Sequence, residues 1–503
     1  MNISQPINSS VISKNNFSPN SQYLLVPKGK NLILYSLNPS IKKLNKFTFF
    51  ANINSILFSP NSEYFLVLLI KIQECQIKSV KNYDFTIKIK EQIFGIKSAI
   101  WSSNEDYILL SLNSYNSIHI FSTKDEFENI EEELDNMIIK DNSNNNNNNN
   151  KNFKGIISNI KYQNLPKGIS FSYNGGEFTA IAIRKQIKDY IEIYDTENYN
   201  LVSVIPCNTN DLDDISWSKD NSFILVWDNN IYDCKLYIYS LAGNLITINE
   251  PYKNYPGITK FNISPNGHYI TLGYYDNSIK LIHYLSFKIC KELNPTDLLL
   301  PDIFNKNSDF IFSKTVILVE DTDKDDINFN HLYDKEKYMF SIEKTFLKKN
   351  SNINNSNELF YINNMDYSFN SQYLAFTSTK YQHLILIYDI NAFKLSYLLV
   401  FQSNVISFAW SPNSIQLVIC TEMENKIYFF IPQRVKAFKL PIIDNGNTKD
   451  SNSINISNSS FNNNKENKEN KNEKIVLYSL DGKRILFKTS KFTFFLIEPG
   501  IEI

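Results

Sequence analysis

The stretch FSPNSEYFLV at 58–67 carries the reading of the whole chain, because it is one hairpin in miniature and it recurs. An aromatic residue ends one strand, Ser-Pro-Asn-Ser turns the chain, and an aromatic-aliphatic run begins the next strand. Proline presets φ at the first corner of such a turn, and Asn or Gly tolerates the left-handed conformation that a tight turn needs. Copies stand at FSPNSQYLLV from Phe17, WSSNEDYILL from Trp101, FSYNGGEFTAIAI from Phe171, WSKDNSFILV from Trp217, ISPNGHYITL from Ile263, YSFNSQYLAF from Tyr367 and WSPNSIQLVI from Trp410. A weaker copy, YSLDGKRILF, starts at Tyr478. Successive starts lie 41, 43, 70, 46, 46, 104, 43 and 68 residues apart. The short intervals match one propeller blade, about 40–45 residues.

Some ten residues after most copies comes a third strand: LILYSL at 32–37, IHIFST at 118–123, IEIYDT at 191–196, LYIYSL at 236–241 and LILIYDI at 384–390. These runs are apolar almost without alternation, as strands covered on both faces must be. No amphipathic helix accompanies them, which argues against βαβ units, a leucine-rich horseshoe or a helical solenoid. The fold class is therefore all-β: a WD-repeat-like β-propeller of about eight to ten degenerate blades. One large ring is favoured over a seven-bladed ring followed by an incomplete second array. With only 13 Gly in 503 residues, Asn is expected to take much of the turn duty of glycine.

The long intervals divide the chain. Blades are expected over 1–124, then an acidic and Asn-rich insertion over 125–164 containing DEFENIEEELD and SNNNNNNN. Blades resume over 165–293. An irregular excursion or degenerate blade follows over 294–358, with strand-like DFIFSKTVILVED and KYMFSIEKTF. Further blades fill 359–440, an Asn/Lys-rich insertion fills 441–474, and a closing blade fills 475–503. The two Asn-rich insertions contain too little apolar surface to offset chain entropy and are expected to be disordered loops.

Composition narrows the function. Fifty-one basic and 52 acidic residues leave a formal charge of −1, so no net field steers the chain toward nucleic acid or anionic lipid. Cys75, Cys207, Cys234, Cys290 and Cys420 are far apart, with no CxxC pair, and read as buried thiols in a reducing compartment. The longest aliphatic run, FLVLLI at 65–70, is far too short to span a bilayer, and the first residues lack a signal-peptide pattern. A cytosolic or nuclear protein is expected. His119, His268, His283, His331 and His383 are scattered over different units. No GxSxG elbow, phosphate loop or HExxH helix is present, so neither catalysis nor a cofactor or metal is expected.

The WD dipeptide has mostly become Tyr-Asp or Tyr-Ser, as at Tyr194-Asp195, Tyr388-Asp389 and Tyr239-Ser240; Trp227-Asp228 lies on the second strand of its unit and is no signature. Between Leu165 and Leu293 a more specific order appears: Lys188-Asp189-Tyr190, Trp217-Ser218, Val226-Trp227-Asp228, Tyr239-Ser240-Leu241, Gly243 and Gly273-Tyr274. In this order the chain resembles the WRAP subfamily of centrosomal, or spindle-pole, WD-repeat proteins. The resemblance implies a non-enzymatic scaffold at a microtubule-organising centre. Its implied partners are a coiled-coil microtubule-anchoring protein and γ-tubulin-associated components, with a role in minus-end anchoring and spindle organisation. The alternative is a translation-initiation or RNA-associated propeller factor, which a basic groove or a lysine-rich C-terminal tail would favour; the chain ends KTSKFTFFLIEPGIEI.

Candidate sites follow from position within the unit. Trp101, Trp217 and Trp410 each stand just before the turn, which points to packing between blades. Trp227 breaks that pattern and runs with Asp228 into Asn229 and Asn230, so a partner contact competes with strand packing there. Arg184, Lys185, Lys188 and Asp189 form a charged hairpin between apolar strands, either a solvated turn or a recognition element, with Arg184, Lys188 and Asp189 as the candidate contacts. The insertion at 441–474 yields the first test. Deleting 445–470 is expected to leave the thermal midpoint nearly unchanged, measured by circular dichroism; loss of soluble protein would place the tract inside a blade.

Overall fold

A computed structural model describes residues 16–91, 93–123, 153–252, 257–299, 316–320, 360–422, 426–439 and 475–490. It also describes the backbone of the short strands Asn2–Ile3, Ile7–Asn8, Glu131–Glu133, Phe329–His331 and Thr493–Glu498. Most of the two Asn-rich insertions lies outside the described residues.

Among the described residues nine sheets stand in chain order, antiparallel apart from one added edge strand in each of two of them. Blade 1 comprises Tyr23–Lys28, Asn31–Ser36 and Lys42–Thr48, preceded by a single bridge from Phe17 to Leu24. Blades 2 to 8 have inner strands Ser55–Phe58, Ile96–Trp101, Ile169–Phe171, Leu212–Trp217, Ile258–Ile263, Ile362–Tyr367 and Val405–Trp410. Blade 9 is built on Ile475–Tyr478 and Ile485–Ser490. Its third strand, Thr493–Glu498, pairs with Asn2–Ile3 and Ile7–Asn8, so the two ends of the chain close the structure in one sheet. Each sheet buries an apolar layer against the next. Blade 9 in turn packs Leu477 and Leu486 against Phe17, Leu24 and Val26 of blade 1. The result is one ring of nine blades.

The repeated turn explains why the blades are alike. Its serine is fully buried and sits between two bonds in blades 1, 2, 3, 5, 6, 7 and 9. The hydroxyls of Ser18, Ser59, Ser102, Ser218, Ser264, Ser368 and Ser479 donate to the Asn or Asp two residues on, at 2.6–2.8 Å. Each also accepts the N–H five residues on, at 2.9–3.0 Å, which is the first of the next strand in all but blade 9, where it is that of Arg484 just before the strand. The Asx side chain thus serves as a turn acceptor. The left-handed residue is the one after it: Ser21, Ser62, Glu105, Asn221, Gly267, Ser371 and Gly482. Asn therefore replaces glycine at only one of these seven turns, and serine does so at three.

Serine at that corner ties neighbouring blades. Ser62 Oγ accepts the N–H of Asn20 at 3.0 Å, Ser371 Oγ that of Asn266 at 2.9 Å, and Ser21 Oγ that of Asp481 at 3.1 Å. The last of these crosses the closure between blades 9 and 1. In blade 4 the turn carries an extra residue. There Gly176, at φ +65°, lies so close to Ser103 of blade 3 that an added Cβ would sit 2.0 Å from its hydroxyl.

The insertions attach at outer edges. Strand Phe153–Ser158 is the fourth strand of blade 3, paired with Ser117–Ser122, so the first insertion ends before Phe153 rather than at 164. Within it, Glu131–Glu133 adds in parallel to the outer strand of blade 2. In the 294–358 interval, Val316–Glu320 adds in parallel to the outer strand of blade 7, and Phe329–His331 pairs with it. Cys75, Cys234 and Cys420 are buried, but Cys290 is exposed on an outer strand, contrary to the expectation for all five.

Trp101, Trp217 and Trp410 lie between blades, and each indole N–H donates to a carbonyl of the preceding inner strand: Leu57 at 3.3 Å, Ser170 at 2.9 Å and Asp366 at 3.2 Å. Trp217 is fully enclosed by residues of blades 4 and 5. Trp217→Ala removes both the ring and this bond, and is expected to cost about 3–5 kcal/mol in urea unfolding. An unchanged midpoint would show that the cavity collapses without loss.

Candidate interaction site

The second and third strands of blade 4, Phe178–Lys185 and Lys188–Asp195, meet at a two-residue hairpin with Gln186 in the left-handed region. The register sets Arg184 directly opposite Asp189. Its guanidinium grips that carboxylate with Nε at 2.7 Å from Oδ1 and Nη2 at 2.9 Å from Oδ2, and Nη2 also reaches Asp211 Oδ1 at 2.6 Å. Bidentate pairing of this kind is strong and directional.

A lysine that sequence reasoning missed completes the network. Lys161 donates to Asp189 Oδ2 at 2.9 Å and to Asp211 Oδ1 at 2.8 Å, with only 5% of its side chain exposed. It is held there because its N–H bonds Ala182 O and the adjoining Ile160 bridges Ile183. The N–H of Leu212, the first residue of blade 5, donates to Asp189 Oδ2 at 2.8 Å. Two cations and two anions thus alternate across the boundary of blades 4 and 5. Burial pushes the Asp189 and Asp211 carboxyls up, but the bonds from Arg184 and Lys161 outweigh it and hold both below the usual carboxylate range. The same pairing raises the Arg184 guanidinium further.

Asp228 joins from the end of the second strand of blade 5, accepting the Asp211 N–H at 3.1 Å and the Tyr237 hydroxyl at 3.2 Å. It is fully buried, and burial raises its carboxyl. The structure therefore brings Arg184, Asp189 and Asp228 together, as a brace beneath the surface. Trp227 is placed elsewhere. It is 8% exposed and stacks on Phe261 of blade 6, with centroids 4.3 Å apart and planes at 16°. A cavity of about 330 Å³, lined also by Asp213, Asp214 and Lys260, opens beside the pair. Trp227 and Asp228 are thus core residues and not the exposed rim that the following Asn-Asn suggests. Lys188 alone of the five is fully at the surface, with no ion pair among the described residues.

Around Lys188 the loop face carries unexpected apolar side chains: Ile187 is 90% exposed, Ile231 79% and Tyr232 64%. The loop bearing the last two is firmly held. Asn229 N–H bonds Asp211 O at 2.7 Å, Gly257 N–H bonds Asn230 O at 2.7 Å, and Lys235 pairs with Asp233 at 2.7 Å. Gly257 admits no side chain, because a Cβ would meet Asp233 O at 2.1 Å. A rigid loop presenting apolar groups to water is suited to docking, since little entropy remains to be lost on binding.

The ring, the repeated turn and this face define a β-propeller used as a protein-interaction scaffold. No family model matches the sequence. The chain is 23% identical over 442 residues to the mouse (Mus musculus) WD repeat-containing protein WRAP73, spanning 84% of this chain and 86% of that one. It is 22% identical over 249 residues to an uncharacterised WD repeat-containing protein of Schizosaccharomyces pombe, covering 48% of this chain and 46% of the yeast protein. The chain is thus similar to WD repeat-containing proteins. Among solved structures, dihydro-heme d1 dehydrogenase NirN in complex with DHE superposes with a TM-score of 0.43 and 9% identity, over 76% of this chain and 65% of that one. No helix among the described residues is long and apolar enough to cross a membrane.

Asp189→Asn would leave Arg184 and Lys161 sharing Asp211 alone. Removing one member of a buried ionic network costs about 3 kcal/mol, the expected loss at neutral pH in urea unfolding. Because the folded carboxyls lie below their unfolded values, their contribution is present above about pH 4 and disappears as pH falls through the folded values. The variant should therefore lose less stability than the wild type between neutral and strongly acidic pH; equal losses would show that the network contributes nothing.

Proposed function

We propose that this scaffold works at the centrosome, spindle pole or another microtubule-organising centre. It holds a coiled-coil microtubule-anchoring protein and γ-tubulin-associated components, and so supports minus-end anchoring and spindle organisation in mitosis. In this reading it is non-enzymatic, uses no cofactor, and contacts neither nucleic acid nor membrane directly. The observation that carries the reading is the match to WRAP73, which extends over most of both chains. The irregular features of 165–293 that resemble the WRAP subfamily fall on blades 4 to 6, where the loop face is braced and apolar.

The partner engages Lys188 and the exposed edge of Arg184, with Ile187, Ile231 and Tyr232 as anchors. Asp189, Trp227 and Asp228 act from below by holding that surface. Charge reversal at Arg184 or truncation of Trp227 would unsettle the blades themselves, so the decisive variant uses exposed residues only. Ile187→Asp, Lys188→Glu and Tyr232→Ala together are expected to leave the circular dichroism melt unchanged. They should reduce spindle-pole foci and co-precipitation of coiled-coil partners from mitotic cells by roughly tenfold or more, as loss of interface anchors does. Full recovery of those partners by the folded variant would move the docking face. Ribosomal subunits recovered in their place by the wild type would sink the spindle-pole assignment.

A further inference from the structure

The outer strand of a propeller blade is a sheet edge, with unpaired N–H and C=O groups that another strand can join. Three edges of this ring are joined by strands from elsewhere in the chain, and they are held to different degrees. On blade 7, Val316–Glu320 pairs in parallel through four residues and is anchored. Ile317 and Leu318 are buried there, and Glu320 accepts the Gln402 N–H at 3.0 Å and the Tyr428 hydroxyl at 2.9 Å, with Lys426 at 3.3 Å. On blade 9, Asn2–Ile3 and Ile7–Asn8 belong to the closure of the ring. On blade 2, Glu131–Glu133 pairs in parallel through three residues: Glu131 with Lys88, Glu132 with Ile89 and Glu133 with Lys90. The edge strand itself is Thr86–Lys90, so among the described residues the pairing stops short of Thr86 and Ile87.

The covalent path does not require this excursion to blade 2. Phe121 pairs with Phe153, so residues 122–152 close a hairpin within blade 3 whatever they do in between. Charge gives the reason for the visit. The edge strand TIKIK carries Lys88 and Lys90 partly exposed on one side, with Ile87 and Ile89 buried on the other. Lys78, on the neighbouring strand, adds a third ammonium, and burial together with Lys88 pushes its pKa below the usual lysine value. Alternate residues of a strand share a face, so the register puts positions 131 and 133 in the row of the two edge lysines. Opposite charges at facing positions of a strand pair are favourable.

We propose that the outer edge of blade 2 is a docking edge for an extended acidic segment of a partner protein, and that Glu131–Glu133 occupies it in the partner's absence. A three-residue strand contributes few backbone bonds, and it is retained because its tether keeps its effective concentration high. A segment long enough to pair with all of Thr86–Lys90, with acidic residues beside Lys88 and Lys90, makes more bonds and displaces it. The edge shares no residue with the loop face of blades 4 and 5, and either surface can act without the other.

Fluorescence anisotropy with a labelled peptide of residues 127–136, FENIEEELDN, tests this on the full-length chain and on a variant lacking residues 125–136. The variant is expected to stay folded by circular dichroism, because the shortened loop still joins Thr123 to Phe153. It should bind the peptide about tenfold or more tightly than the wild type, since the tethered competitor is gone. Glu131→Lys, Glu132→Lys and Glu133→Lys together set lysines beside lysines and should open the edge equally with the loop length kept. Lys88→Glu added to the deletion should abolish binding, as should glutamine in place of the three glutamates of the peptide. Equal affinity of the wild type and the opened variants, no binding by a folded opened variant, or binding that survives Lys88→Glu or the glutamine peptide would each overturn the proposal.

Discussion

A buried serine hydroxyl, held between an Asx side chain and the first N–H of the next strand, is the contact on which the ring depends. Left without either partner, such a group costs about 1–3 kcal/mol. The turn is thus nearly all-or-none, and it fixes the height and tilt at which each inner strand hands over to the second. A ring closes only if those steps agree around the circle. That they do agree is visible at the last step, where Asp481 of blade 9 donates its N–H to Ser21 of blade 1 and Arg484 reaches Leu37 and Asn38.

The same turn accounts for the scarcity of glycine. A left-handed corner costs a residue with a side chain roughly 1–2 kcal/mol, so glycine is the locally easier choice. At Ser21, Ser62 and Ser371 the hydroxyl offsets part of that cost by accepting an N–H from the neighbouring blade. Asn221 accepts the Tyr173 N–H and donates to the Tyr173 carbonyl, both at 2.7 Å. Gly267 and Gly482 have no side chain to do so. The blade 8–9 boundary is tied instead by Asn413 donating to Asp481 O at 2.8 Å. Local strain is exchanged for contacts between blades, which suits a long ring where each blade is stable only against its neighbours.

Legibility followed the range of the interaction. The turn spans six or seven residues, so its chemistry repeats visibly and the nine blades could be counted to within one. Arg184 and Asp189 face each other across a hairpin, five residues apart, and stood out together. Lys161 and Asp211 complete the same network from 28 and 22 residues away from Asp189, and nothing in an isolated lysine or in Asp-Leu-Asp-Asp announces it. For Trp227 a partner contact competes with strand packing because Asp-Asn-Asn follows it, and packing is what the structure gives: the polar residues belong to the loop while the indole points back into the layer between blades 5 and 6. The closing strands at Asn2–Ile3 and Ile7–Asn8 are too short to carry any period. The start of the fourth strand of blade 3 was hidden for a related reason: an insertion between the third and fourth strands of a blade leaves the turn spacing to absorb its whole length.

The docking proposed for the loop face of blades 4 and 5 acts along the ring axis through hairpin tips, and those tips stand on a firmly held layer. Arg184 and Asp189 stand at the tip of the blade 4 hairpin, Lys161 enters from blade 3, and Asp211 leads into blade 5, so the charge network fixes the relative setting of blades 4 and 5. An ionic brace is a weak source of net stability but a good source of geometry, because it is satisfied in few arrangements. Here that geometry holds Ile187 and Tyr232 on adjoining tips.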